Sequence, residues 1–151
     1  MITPDFAAYA IGIDVHFHRA VSVADLTGKV EGLLSRIASE CVTAGAYLIG
    51  HIKCVVETDD KGYLAVSVVD AARPPQKRGG LEEGFGEADI IVNVLLYGLS
   101  RSRIQEIVDP LVHEMLSFPG AHLHIEDLEK EHQHEDHGDH DHEHGHHHDH
   151  H

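Results

Sequence analysis

Two kinds of histidine spacing carry the chemistry in this 151-residue chain. The first is the closing stretch HEDHGDHDHEHGHHHDHH, part of a segment in which His132, His134, His137, His140, His142, His144, His146, His147, His148, His150 and His151 alternate with Asp, Glu and Gly. The second is His-x-His, found once as His16 and His18 and again as His122 and His124. Neutral imidazole is a good ligand for nickel, zinc, cobalt and copper, and neighbouring carboxylates add oxygen donors and a favourable field. Eleven imidazoles in twenty residues offer many overlapping sites. A segment that must be ordered around each ion binds more weakly than a rigid pocket, yet it can hold several ions and exchange them quickly. Its longest histidine run is only His146 to His148, with acids threaded through the rest, which is not the uninterrupted run of an expression tag.

Within the body, residues two apart on a strand point the same way about 7 Å apart. Each His-x-His pair therefore offers two donors to one ion, with a third to come from a neighbouring element. If the two strands pair, His16, His18, His122 and His124 share one surface. His51 in IGHIK, and Asp14 beside His16, are candidates to complete the ligand set or to orient it. Ordinary solvent-facing polar residues of a half-exposed sheet would show the same pattern. His113 reads as a surface residue in the second half of a helix, where a cation suits the helix dipole. Cys41 and Cys54 fall on apolar positions and read as buried thiols.

The stretch HGDHDHEHGHHHDHH resembles the C-terminal histidine-rich tails of nickel metallochaperones, of the urease accessory type and the prolyl-isomerase-type hydrogenase maturation chaperones. The resemblance covers about the last twenty residues. It implies Ni(II) as cargo, with Zn(II) or Co(II) as other candidates, and a recipient metalloenzyme or maturation protein as partner. The body carries neither the peptide-binding domain nor the isomerase domain of those chaperones.

Composition narrows the remaining classes. The net charge of −15 and only eleven Lys and Arg disfavour nucleic acid as a partner, because phosphate neutralisation needs clustered bases. The imbalance is concentrated: from Glu126 onward there are ten acids against one Lys, whereas residues 1–125 hold sixteen acids and ten bases. The N-terminus has neither a basic region nor a long apolar run, so no signal peptide or membrane span is expected. Two cysteines thirteen apart make no disulfide framework. A cytoplasmic protein is the expectation. There is no P-loop, no G-x-G-x-x-G after a strand, no H-E-x-x-H and no nucleophile elbow.

The elements that must position these residues follow from periodicity. YAIGIDVHFHR alternates strictly and predicts a half-buried strand. Ser22 stands at an N-cap before Leu26, Val30, Leu33, Leu34, Ile37 and Cys41, a long amphipathic helix ending near Ala44. Residues 47–70 predict two strands around the turn Asp59-Asp60-Lys61-Gly62. Residues 71–87, rich in Gly and Pro, predict a long loop and a lid candidate. ADIIVNVLLYGL predicts a strand buried on both faces near the middle of a sheet. A second helix follows, capped by Ser100 and kinked or restarted at Pro110 with Asp109 as the new cap. PGAHLHIED predicts a final short strand, and residues 126–151 lack periodicity and are expected to be disordered without ligand.

The sum is an α+β body over residues 1–125, a two-layer sandwich of a four- or five-stranded mixed sheet with two helices on one face, loosely ferredoxin-like, followed by a metal-binding tail over 126–151. The leading expectation is a metal-binding accessory protein for storage or delivery. A small metal-dependent enzyme with its site on the body, and an interaction module of metalloenzyme assembly, are the other two. Homo-oligomerisation is expected at the edge of the first strand.

Overall fold

The computed structural model describes residues 5–59 and 62–128. Eight elements follow in order: β1 (Phe6–Phe17), α1 (Val23–Ala44), β2 (Leu48–Thr58), β3 (Gly62–Val68), β4 (Gln76–Leu81), β5 (Glu87–Tyr97), α2 (Arg101–Met115) and β6 (Ala121–Asp127). The strands form one sheet in the order β4-β3-β2-β5-β1-β6. The tail histidines, His132 to His151, lie outside the described residues, as does the expectation of disorder attached to them.

The helices form where the sequence provides stripe and cap together. Ser22 Oγ accepts from the Asp25 amide at 3.0 Å, which satisfies one of the otherwise unpartnered amides of the first turn of α1. Leu26, Val30, Leu33, Leu34, Ile37, Ala38 and Cys41 then line its buried side. Gly45, at φ 124°, adopts a backbone conformation that side-chain-bearing residues resist and ends the helix. Ser100 caps α2 in the same way, accepting from the Arg103 amide at 3.2 Å.

Both helices lie on one face of the sheet. There they meet Tyr9, Ile11, Ile13 and Val15 of β1, Ile52, Cys54 and Val56 of β2, Leu64 and Val66 of β3, and Ala88, Ile90, Val92, Val94 and Leu96 of β5, in a single aliphatic core. Each large aliphatic side chain buried this way stabilises the fold by about 1.5–3 kcal/mol. Among the described residues, no helix covers the opposite face.

Five expectations are corrected. The sheet has six strands and every pairing is antiparallel, so it is not mixed. Its β1 and β2 run parallel but never touch, because α1 carries the chain across a gap that β5 later fills. Residues 71–87 are not one long loop. Gln76 to Leu81 pair with β3 despite their two glycines, since the free edge of β3 supplies hydrogen-bond partners that local sequence cannot reveal. Nor is the remainder a lid: Phe85 is buried, and the Glu83 carboxylate accepts from the Val23 amide at 3.1 Å.

The third correction concerns the restart expected at Pro110, which instead sits inside a continuous α2. Its ring is exposed, and Asp109 does not start a new helix there. That carboxylate instead accepts from the Tyr9 hydroxyl and from Gln105 Nε2. Fourth, β5 is central but open on one face, where Ile91 remains 42% exposed. Fifth, β1 is not an edge, since β5 and β6 flank it. The edge strands are β4 and β6.

Candidate histidine and carboxylate surface

The β1–β6 ladder sets His16 directly opposite His122 and Asp14 opposite His124. These four residues point to the open face, because Ile13, Val15 and Phe17 between them point to the core side. His18 follows the end of β1. Its amide donates to the Gly120 carbonyl at 3.2 Å, and its ring meets that of His122 nearly edge-on, with centroids 5.9 Å apart. The two His-x-His pairs thus share one surface at the end of the sheet.

Phe17 fixes this corner from the other side. Its ring stacks edge-on against Phe85 at 5.5 Å and Phe118 at 5.2 Å, and its amide donates to the Gly86 carbonyl at 2.9 Å. The turns before β5 and β6 are therefore held to the end of β1, and with them the residues that flank His16. A period-two strand with a large aromatic at its last inward position positions its outward neighbours.

Carboxylates extend the histidine corner across the sheet. In the β1–β5–β2 register, Asp14 faces Asp89 and Asp89 faces Glu57, so one row reads Glu57, Asp89, Asp14, His124. The next row holds Glu87, His16 and His122, with His16 Nδ1 3.1 Å from Glu87 Oε1. His124 Nε2 lies 2.9 Å from Glu126 Oε1. Glu57, Asp59, Glu87 and Asp89 line a cleft of about 220 Å3 beside these rows. Asp89 hydrogen-bonds Asp14. That bond, with partial burial and the nearby charges of Asp14, Glu57 and Glu87, raises its carboxyl to about 6.

This surface is rich in carboxylates and imidazoles, but its described residues do not form a finished metal centre. Among the described residues, no group of three or more His, Cys, Asp or Glu is arranged to hold a metal ion. His16, His18, His122 and His124 come together as neighbours and pairs. His51 does not join them: it lies on β2 next to Leu95 of β5, several residues along the strand from Glu57. His113 is exposed on the last turn of α2, on the other layer. Cys41 and Cys54 are free, buried thiols, and burial pushes them up to about 11 and about 12.

The acids of this surface had a legible signal. Glu57-Thr58-Asp59 and Glu87-Ala88-Asp89 repeat the two-residue spacing of the histidine pairs, but only the strand order brings all four segments together. No family model, curated protein or solved structure matches the chain at a significant level. The fold and this surface together define an α+β domain with one open, partly acidic sheet face.

Proposed function

We propose that this protein is a transition-metal accessory protein that gathers ions, Ni(II) foremost with Zn(II) or Co(II) as the other candidates, and hands them to a recipient metalloenzyme or maturation protein. The observation that carries the reading is the pairing of His16 with His122. It puts two histidine pairs and a row of carboxylates on one face, on the strand from which the chain continues into eleven further histidines. In this reading the tail imidazoles capture ions. The corner of His16, His18, His122 and His124 supplies pairs of donors that need a further ligand from the tail or from a recipient, and such incompletely held ions are easily passed on.

The acidic rows raise the local cation concentration. The unit β6-β1-β5-β2 with its two helices is read as ferredoxin-like, with the β3–β4 hairpin added beside β2. No helix among the described residues is long and apolar enough to cross a membrane. A cytoplasmic site of action, where Cys41 and Cys54 stay reduced, fits the same reading.

Native mass spectrometry of the full chain, offered Ni, Zn or Co near neutral pH and then freed of excess ion, tests it. Several bound ions are expected, with most lost when the eleven tail histidines are changed to Asn. Weaker retention is expected for His16→Asn with His122→Asn. A full chain that retains no ion would overturn the reading.

A further inference from the structure

A groove of about 390 Å3 lies over β3 on the open face, away from the histidine corner. Ala65 and Ser67 form its floor, and small side chains between longer ones on the flanking strands give it depth. Lys53 and His51 of β2 stand on one side, Gln76 and Arg78 of β4 on the other. The register sets Lys53, Ser67 and Gln76 in one row and Arg78 beside Ala65 in the next. Lys77 turns to the helix layer and pairs with Glu31 at 2.9 Å. Among the described residues, neither Lys53 nor Arg78 has an ion-pair partner. Two cations without an ion-pair partner among the described residues, flanking a floor of small side chains, are conspicuous in a chain of net charge −15.

We propose that this groove is the docking site of the chain's own C-terminal segment, residues 129–151, held by its carboxylates. Three observations select that occupant. The side chain of Leu128, the last described residue, covers Gly12 on the open face, so the described chain ends at the border of this face. Gly12 and Lys53 are two strand spacings and about one row apart, roughly 12 Å, and an extended chain spans that with its first four or five residues at about 3.4 Å each. Charge then chooses the direction. Residues 129–151 carry eight Asp and Glu against Lys130. The end of the face holding Glu57, Glu87 and Asp89 repels them, while the groove has the opposite sign. Tethering supplies an effective concentration of about millimolar, so screened single contacts suffice.

The docking itself is independent of metal. Only its consequence, that the histidine segment is kept over the face bearing His16 and His122, rests on the proposed function.

Carbodiimide coupling of the full chain at low salt, which joins an amine to a carboxylate in contact with it, tests the docking. Lys53 is expected to be linked within one molecule to acids between Glu129 and Asp149. The yield is expected to fall about five-fold in 0.5 M sodium chloride, where the Debye length shrinks to about 4 Å and the attraction that gathers the segment over the groove is largely screened. It is expected to fall also in Arg78→Gln and further in Arg78→Glu, each checked for an unchanged thermal melt. Lys29, on the helix layer, is expected to give few links. Tail acids coupled to Lys29 as readily as to Lys53, links only between molecules, or a yield indifferent to salt and to both Arg78 variants would each overturn the proposal.

Discussion

His16 and His122 face each other across the antiparallel ladder of β1 and β6, with Glu87 beside the first ring and His18 beside the second. Directly opposed side chains on a sheet are close neighbours, with Cβ atoms about 4.5–5.5 Å apart. Two neutral imidazoles so placed are a donor pair, and two protonated ones repel. Metal uptake by the full chain is therefore expected to fall as pH drops through about 6.5, where free imidazole takes up its proton. Equilibrium dialysis against nickel at pH 5 and pH 7.5 measures this. Equal uptake at both would assign the binding to carboxylates instead.

Asp89 gives a pH dependence of the opposite kind from an ordinary surface acid. Its folded-state carboxyl is raised to about 6, first by the hydrogen bond with Asp14, then by partial burial and neighbouring charges. A raised value means that the folded state holds this proton more tightly than the unfolded chain. The associated stability is full below the unfolded value near 3.8 and is lost as pH rises through about 6. Asp89→Asn keeps a donor to Asp14 and removes the charge. It is expected to raise the melting temperature at pH 8, by an amount equivalent to about 1 kcal/mol or less after solvent screening, and to change little at pH 4. Melts at the two pH values decide.

Tyr9 joins the sheet to α2. It is buried in the core while its hydroxyl donates to Asp109 Oδ1, and Arg101 lies over its ring at 5.2 Å. Burial first, and then the hydrogen bond to Asp109, push the phenol far above its usual range. Tyr9→Phe is expected to cost about 1–2 kcal/mol, the range for a hydrogen bond to a charged group whose partner can still reach water. Chemical denaturation measures the loss. The wild type and Tyr9→Phe are expected to have the same absorbance at 295 nm at pH 11, because the Tyr9 phenol is not ionised there.

Arg101 and Asp127 tie the end of β6 to the start of α2. Arg101 Nη2 lies 2.9 Å from both carboxylate oxygens of Asp127, and the pair is partly buried. A cation in the first turn of a helix opposes the helix dipole, and Asp127 offsets it. Asp127→Asn is expected to destabilise the protein by about 1–2 kcal/mol by leaving that guanidinium less compensated. Faster amide exchange confined at first to β6 is the accompanying sign.

Gly79 is what allows β4 to form. It sits at φ 75°, and a Cβ there would fall 2.5 Å from the Tyr63 carbonyl oxygen and 2.9 Å from its ring. Gly79→Ala is expected to cost at least about 1–2 kcal/mol from the backbone conformation alone. It is expected to loosen Gln76 to Leu81 from β3 while leaving the core in place. Hydrogen exchange by residue separates that outcome from global unfolding, and intact protection across β4 would contradict it.

Much of this architecture was legible in the chain. Alternation in residues 9–19 and in AHLHIED gave β1 and β6 and assigned each histidine pair to the polar side, because a strand's side chains alternate by geometry whatever its neighbours are. Ser22 and Ser100 announced both helices, since capping is satisfied within a few residues. The readings that failed depended on distant partners. QKRGGL has no apolar alternation, and only the free edge of β3 makes it a strand. Asp109 reads as a new cap before Pro110 because its partner Tyr9 lies a hundred positions away in sequence.

Sequence alone thus determined which residues share a face of each element and how many imidazoles the chain carries, for these follow from local geometry and composition. Tertiary structure alone decided that β6 lies beside β1, that β5 separates β1 from β2, and hence that His16 meets His122 and Glu87 while His51 stands apart with Lys53 and Arg78. The reason is physical. A period of two fixes the side to which a residue points, but its cross-strand neighbour is chosen by long-range pairing and burial of the whole core.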